Sequence, residues 1–330
     1  MSNLPLDLKE AIQEEIKKCR LGLLQKPREE LGSRYREEAK RKAITSSGAQ
    51  FLDSQEHRLA YIATRMPATY AVIAKVMREV KLRIPHLKLE SLLDLGSGPG
   101  TALWACAEEF PSLKQATLIE QDGEMIQLGK RLLSKRQTSV FSHVNWQQVN
   151  LLNLAHLEPH DCIVISYALG ELPKENQMKL IEMCWKATNQ ALIVIEPGTP
   201  YGFQGILAAR EQLIALGANI AAPCPHANVC PLAAIGDWCH FSERLERTVE
   251  HRLLKEGQLG YEDEKYSYIV GAKEKGPRYF ERILRHPQKR TGHIHFTLCT
   301  QEGLKKTIVS KRDGEAYKQA KKLDWGDVLS

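Results

Sequence analysis

Two groups of residues in this chain could do chemistry. The first is Asp94-Leu95-Gly96-Ser97-Gly98-Pro99-Gly100, a glycine-rich turn closing the apolar run Leu92-Leu93, followed by Glu120 at the end of a second apolar run. Glycine lets the backbone approach a ligand where a Cβ would block it. A helix starting there offers N–H groups and the positive end of its dipole to a negatively charged group. An acid about twenty residues past the turn is where a doubly wound fold accepts hydrogen bonds from both ribose hydroxyls. The second group is Cys224-x5-Cys230-x8-Cys239 with a distant Cys299. Four thiolates suit either zinc or an iron–sulfur cluster. Paired C-x2-C knuckles are missing and proline follows Cys224 and Cys230 directly, which leans towards [4Fe–4S], with zinc the alternative. His226 and His240 lie close by and are expected to serve as hydrogen-bond donors or RNA contacts.

The alternate glycines at 96, 98 and 100 are similar to the first motif of S-adenosylmethionine-dependent methyltransferases. A dinucleotide site would want G-x-G-x-x-G, so NAD is disfavoured. These residues need a sheet to position them, and the sequence from Leu89 to Glu196 alternates strand and helix as an α/β sheet requires. Helices are expected at 102–109, 125–135 and 203–216. Strands are expected to end at Asp94, Glu120, Val149, Tyr167 and Glu196, with Asn150 beyond the third, near the adenine. In an open parallel sheet these carboxyl ends converge on the ligand.

Before the sheet, residues 6–24, 27–44, 56–66 and 67–83 read as helices, the last begun by Pro67. After it, 221–241 fits neither periodicity and reads as a loop wrapped around something; proline after a ligating cysteine would stiffen it. Residues 243–254 read as a charged helix. Strand patterns at 266–271, 279–284, 292–299 and 304–310 suggest a small antiparallel unit, whose third strand returns Cys299 to the loop. The resulting division is 1–88, an N-terminal helical region; 89–217, the Rossmann-like core; and 218–330, the cysteine loop, small β unit and basic tail.

Composition bounds the function. The chain has 330 residues, 43% hydrophobic and 26% charged, as in ordinary soluble proteins. No apolar run is long enough to span a membrane, so no membrane role is expected. The N-terminus carries acids and no apolar h-region, which suggests a cytoplasmic protein. Of the net charge of +6, residues 271–330 carry +7 and the remainder −1. A basic end on a neutral body suggests a polyanionic partner such as RNA. Eight cysteines in a reducing compartment point to metal or redox chemistry rather than disulfides.

Several segments share one pattern: the turn Leu93–Ala105, Ser166–Leu172, Glu196-Pro197-Gly198-Thr199-Pro200, Pro223-Cys224-Pro225-His226, Cys230-Pro231-Leu232 and Asp237-Trp238-Cys239-His240-Phe241. From about Tyr61 to Asp327 the chain resembles the ribosomal small-subunit protein twenty-two family, called methyltransferase-like protein seventeen in animals. The resemblance implies a class I methyltransferase-like protein acting in small-subunit assembly and binding its rRNA. It carries a [4Fe–4S] site onto Cys224, Cys230, Cys239 and Cys299, and a nucleotide-binding turn onto Asp94 through Gly100. Mitochondrial members carry targeting sequence not visible here, which fits a bacterial-type member.

Methyl transfer from a sulfonium needs donor and acceptor in line. Base amino-methyltransferases carry an [Asn/Asp/Ser]-Pro-Pro-aromatic motif after the fourth strand; here Ser166-Tyr167-Ala168-Leu169-Gly170-Glu171 stands in its place. Pro223-Cys224 imitates the Pro-Cys dipeptide of cytosine C5 enzymes, but that thiolate is better explained as a cluster ligand. Glu171 and Glu196 are the available bases, and no catalytic residue follows from the sequence. Two functions remain: a small-subunit rRNA methyltransferase, or an assembly factor using the same fold as an RNA platform. A zinc-stabilised methyltransferase for a small substrate is a weaker third, disfavoured by the basic end.

Overall fold

Strands buried on both faces read as continuous apolar runs, and here they build the centre of an α/β sheet. A computed structural model describes residues 4–38, 54–136, 142–255, 259–276 and 280–329. β1 (Ser91–Leu95) is buried along its whole length and pairs in parallel with β2 (Gln115–Glu120) and β4 (His160–Ser166). β3 (Val144–Gln148) continues beyond β2, and β5 (Thr188–Pro197) beyond β4. β8 (Tyr261–Ala272) then pairs antiparallel with β5, with β6 (Asn219–Ala222) beyond it; β7 (Phe241–Glu246) also pairs with β8. The order β3-β2-β1-β4-β5-β8-β6 is that of a doubly wound sheet, with its reversal point between β1 and β4. The fold is the α/β, class I methyltransferase-like architecture that the sequence led one to expect.

Alternation along the strands sends side chains to two cores. Leu92, Cys162, Val164, Ala191 and Ile193 meet α3 (Gln55–Thr64), α4 (Met66–Arg83), α5 (Thr101–Glu109) and α6 (Gly123–Leu133). Leu93, Ile163, Ile165, Leu192 and Val194 meet α7 (Lys174–Ala187) and α8 (Pro200–Ala215). The N-terminal helices α1 (Leu6–Lys17) and α2 (Gln25–Glu38) lie on the α4 side. The part of the expected 27–44 helix beyond residue 38 lies outside the described residues, as does Tyr279 of an expected strand.

A second sheet holds β9 (Glu281–Ile283), β10 (Gln288–Arg290), β11 (His293–Thr300), β12 (Gly303–Ser310) and β13 (Val328–Leu329). α11 (Glu315–Ala320) contributes to the small core of Ile283, Ile294, Phe296, Leu298 and Val309. Arg282, only 1% exposed, joins the sheets. It donates to Pro223 O at 3.1 Å and Gly326 O at 2.6 Å, and pairs with Glu79 of α4.

Two expectations are corrected. The strand expected at 266–271 does not belong to the small unit; its apolar run is buried in the main sheet against β5. Residues 243–246, expected to begin a charged helix, belong to β7, because the segment pairs with β8 along its whole length and buries Phe241 and Leu245; the helix α10 (Val249–Lys255) follows.

Candidate functional site

The turn after β1 takes the form that its glycines permit. Gly96, Gly98 and Gly100 have φ of +69°, +53° and +83°, the left-handed region that side chains disfavour. A Cβ on Gly96 would also sit 2.6 Å from the Ala168 Cβ. The amides of Gly96 and Ser97 both donate to Ile119 O, at 2.9 and 3.0 Å. Gly98 N donates to Glu120 Oε2 at 2.9 Å, and Asp122 N donates to Glu120 Oε1 at 2.9 Å. Asp122 caps α6 through the Glu124 and Met125 amides and pairs with Arg58 of α3 at 2.8 Å.

The result is a cleft, open to solvent, at the carboxyl ends of β1, β2 and β4. Gly96, Gly98, Glu120 and Asn150 line it, together with Tyr61, Asp122, Tyr167 and Glu171. Asn150 is held by Gln121, to which it donates at 2.8 Å, and accepts from Leu152 N at 2.8 Å. Asp94, Ser97, Pro99 and Gly100 shape the turn without lining the cleft: Asp94 and Ser97 are buried and Gly100 precedes α5.

Asp94 is 1% exposed, and neither of its carboxylate oxygens has a hydrogen-bond partner. Burial, helped by the Glu120 charge, pushes its acid up to about 8. Burial also raises Glu120, against the pull of the Asp122 and Gly98 amides. Glu120 faces the cleft, whereas Asp94 lies buried beside it, so a hydroxyl donor can reach the first and a nearby positive charge would favour ionisation of the second.

Sequence reasoning missed Tyr61 and Asp122, because nothing local marks a helix residue or a helix cap as a cleft wall; α3 is carried there by tertiary packing. Tyr167 is different. It has φ +57° directly after β4, and its hydroxyl is buried without a hydrogen-bond partner. Such backbone in a non-glycine residue concentrates at functional sites. Of the two sequence-derived bases, Glu171 lines the cleft, whereas Glu196 is buried and accepts from Gly170 N at 3.2 Å.

The cysteine group occupies a second pocket. Cys224 follows β6, Cys230 opens the short helix α9 (Pro231–Ala234), Cys239 precedes β7, and Cys299 lies in β11. All four are free thiols and all four line this pocket. Arg210 of α8 pins the loop by donating to the carbonyls of His226 and Asn228 at 3.0 and 2.7 Å. Trp238 Nε1 donates to Gly198 O at 3.1 Å, tying the loop to the end of β5. His226 Nε2 lies 3.4 Å from Cys299 Sγ, while His240 stacks on Trp238. Burial pushes the Cys299 thiol up to about 12, and the neighbouring thiols reinforce it. Among the described residues no group of three or more His, Cys, Asp or Glu is posed to hold a metal ion. The four thiols share a pocket; by donor chemistry, a soft metal or a cluster is what such a set accommodates.

Comparison with known proteins bears on identity. The chain is 27% identical over 293 residues to the human mitochondrial ribosome assembly protein METTL17, covering 82% of this chain and 62% of that one. It is 22% identical over 419 residues to the mitochondrial ribosome assembly protein RSM22 of Saccharomyces cerevisiae, covering 82% and 66%. The chain therefore spans about three-fifths of the human relative's length. These relatives are named mitochondrial, which corrects the cytoplasmic expectation. That expectation leaned on the N-terminal residues, and a targeting leader leaves no imprint on a fold. Among solved structures the chain is similar to magnesium protoporphyrin IX methyltransferase of Synechocystis PCC 6803 with bound SAM, at 11% identity and a TM-score of 0.40, covering 74% of this chain and 91% of that one. It is also similar to precorrin-6y C5,15-methyltransferase of Geobacter metallireducens GS-15, at 14% identity and a TM-score of 0.39, covering 70% and 94%. The model of one family, described as mitochondrial small ribosomal subunit Rsm22, matches residues 55–330, and the chain belongs to that family.

Proposed function

We propose that this chain binds S-adenosylmethionine in the cleft beyond β1, β2 and β4, and acts with small-subunit ribosomal RNA during ribosome assembly. The observation that carries this reading is the glycine turn clasped by Glu120, with Gly96, Gly98, Glu120 and Asn150 all lining one cleft. The donor is a cation with a ribose, so it brings hydroxyls to Glu120 in the cleft wall and a positive charge to the neighbourhood of the buried Asp94. Glu120 would orient the ribose, Asn150 would meet the adenine, and the Gly96 and Gly98 backbone would let the methionine portion lie close. The names of the human and yeast relatives support a role in ribosome assembly.

Cys224, Cys230, Cys239 and Cys299 would hold a [4Fe–4S] cluster, with zinc the alternative. When bound, such a group supplies a cross-link between the cysteine loop and β11, together with electron-transfer capacity. The chain's own part is to bring the four sulfurs together, through Arg210, Trp238 and Arg282.

A second reading, an assembly factor that docks RNA without methylating it, is favoured by one observation. Glu196 is buried and engaged with Gly170, and the segment after β4 lacks the acceptor motif of base methyltransferases. Mapping methylated positions in small-subunit rRNA with and without the protein separates the two. A position that loses methylation identifies the enzyme; unchanged methylation, with calorimetric S-adenosylmethionine binding retained, identifies the platform. No S-adenosylmethionine binding by the wild type would overturn the cleft assignment itself.

A further inference from the structure

The second sheet has one covered face and one open face. Side chains directly opposite across an antiparallel pair share a face. Ile294, Phe296 and Leu298 of β11, with Val309 of β12, point into the small core beside α11. The alternate set faces outward: His293 opposite Arg290, His295 opposite Ile308, and Thr297 opposite Lys306. Leu304, opposite Cys299, continues this face towards the thiol pocket.

The open face has an unusual composition for solvent-exposed sheet. Ile308 is 59% exposed and Leu304 40%, although both are large aliphatic residues. The imidazoles of His293 and His295, both half-buried, lie 5.0 Å apart. Arg290 and Lys306 supply positive charge, and no Asp or Glu stands on this face in the three strands. Of the acids flanking these strands, Glu281 pairs with Lys305, which points to the covered side, Asp313 accepts from Ser310 at the strand end, and Glu302 stands in the turn between β11 and β12.

We propose that this face, centred on His293, His295, Arg290, Lys306 and Ile308, docks an unpaired RNA segment. Flat π and aliphatic surfaces stack on bases, and interspersed cations meet phosphates, which is the pattern of single-strand platforms. A duplex fits poorly, because A-form RNA hides its bases in a groove that a flat sheet cannot enter. Charge complementarity favours a polyanion, and the stacking groups favour one that carries bases over an acidic peptide. The proposal rests on the reading of RNA as the partner and adds where and in what form the RNA binds.

Fluorescence anisotropy on the full chain tests it. The probes are a labelled twelve-nucleotide unstructured RNA, a labelled RNA duplex and a labelled polyglutamate peptide, at two salt concentrations. The expected order is single strand tighter than duplex by about tenfold, with the peptide weakest. His293→Ala/His295→Ala should weaken single-strand binding about tenfold and leave duplex binding unchanged. Lys306→Glu should weaken both RNAs and flatten their salt dependence. Ile308→Ser, at an exposed position, gives a second stacking variant whose folding is not at risk. Polyglutamate binding as tight as the single strand would overturn the proposal in favour of a protein partner. Wild-type affinity for single strands retained by all three variants would overturn this face while leaving RNA as the partner. No RNA binding by the wild type would overturn both.

Discussion

Glu120 at the end of β2 holds the backbone of Gly98, accepting its amide at 2.9 Å. One carboxylate thus sets the shape of the turn and faces the cleft, so its loss should act twice. Glu120→Ala is expected to weaken S-adenosylmethionine about ten- to a hundredfold, since hydrogen bonds to charged groups contribute about 1.5–3 kcal/mol. Calorimetry checks this, and Glu120→Gln, which keeps one acceptor for Gly98, should fall between the two.

Asp94 makes binding depend on pH. Burial and the Glu120 charge push its acid up to about 8. Below that pH the carboxyl is protonated, and a cation bound in the adjoining cleft favours its ionised form, each unit of pH below the acid's pKa costing about 1.4 kcal/mol. Affinity for S-adenosylmethionine should therefore rise from pH 6 to 8 and then level off. Asp94→Asn should bind weakly and show no such slope. For folding the sign is opposite: an acid raised in the native state costs stability as pH climbs from about 4 towards 8, so the wild type should lose more melting temperature over that range than Asp94→Asn.

Gly96→Ala tests the turn independently of charge. The added Cβ would meet Ala168 at 2.6 Å at a φ of +69°. A destabilisation of about 1–3 kcal/mol is expected, together with loss of S-adenosylmethionine binding, read by thermal denaturation and calorimetry.

Burial pushes the Glu79 acid up, but the Arg282 and Arg83 guanidiniums overcome it and hold the group below the usual carboxylate range. Removing one partner of a buried pair strands the other, so Glu79→Leu should cost about 3–5 kcal/mol in chemical denaturation. The pair's contribution is present above the unfolded acid's pKa and fades as pH falls through the lowered native one. Glu79→Gln should therefore flatten the acid limb of the stability profile.

Anaerobically purified protein should be brown, with broad absorption near roughly 400 nm from thiolate-bound iron. Cys224→Ser, Cys230→Ser, Cys239→Ser and Cys299→Ser should each reduce that colour and the iron content, whereas Cys184→Ser, on the buried side of α7, should not. A colourless wild type carrying one zinc would replace the cluster by the alternative metal.

The parallel core was legible because its strands, buried on both faces, leave uninterrupted apolar runs such as Leu192–Ile195, and because three left-handed positions in one turn demand glycine. The cysteines were legible by residue type alone. What the sequence hid was partnership. Residues 243–246 look like the start of a charged helix until β8 lies beside them, and 266–271 belongs to the main sheet although its neighbours in sequence build another. Tyr61 became a wall of the cleft through the packing of α3, which no local pattern announces. Tyr167 stood in plain view, but its backbone strain exists only in three dimensions.

The two pockets close at different moments in the life of a nascent chain. Every residue lining the cleft has left the ribosome by Leu172, whereas the last of the four thiols arrives only with Cys299. Since chains emerge from their N-terminus and domains fold as they appear, the cleft's lining can assemble while three sulfurs still wait for the fourth. A messenger truncated between these points would yield a polypeptide with those lining residues but an incomplete thiol set, a built-in mark by which unfinished copies differ from complete ones.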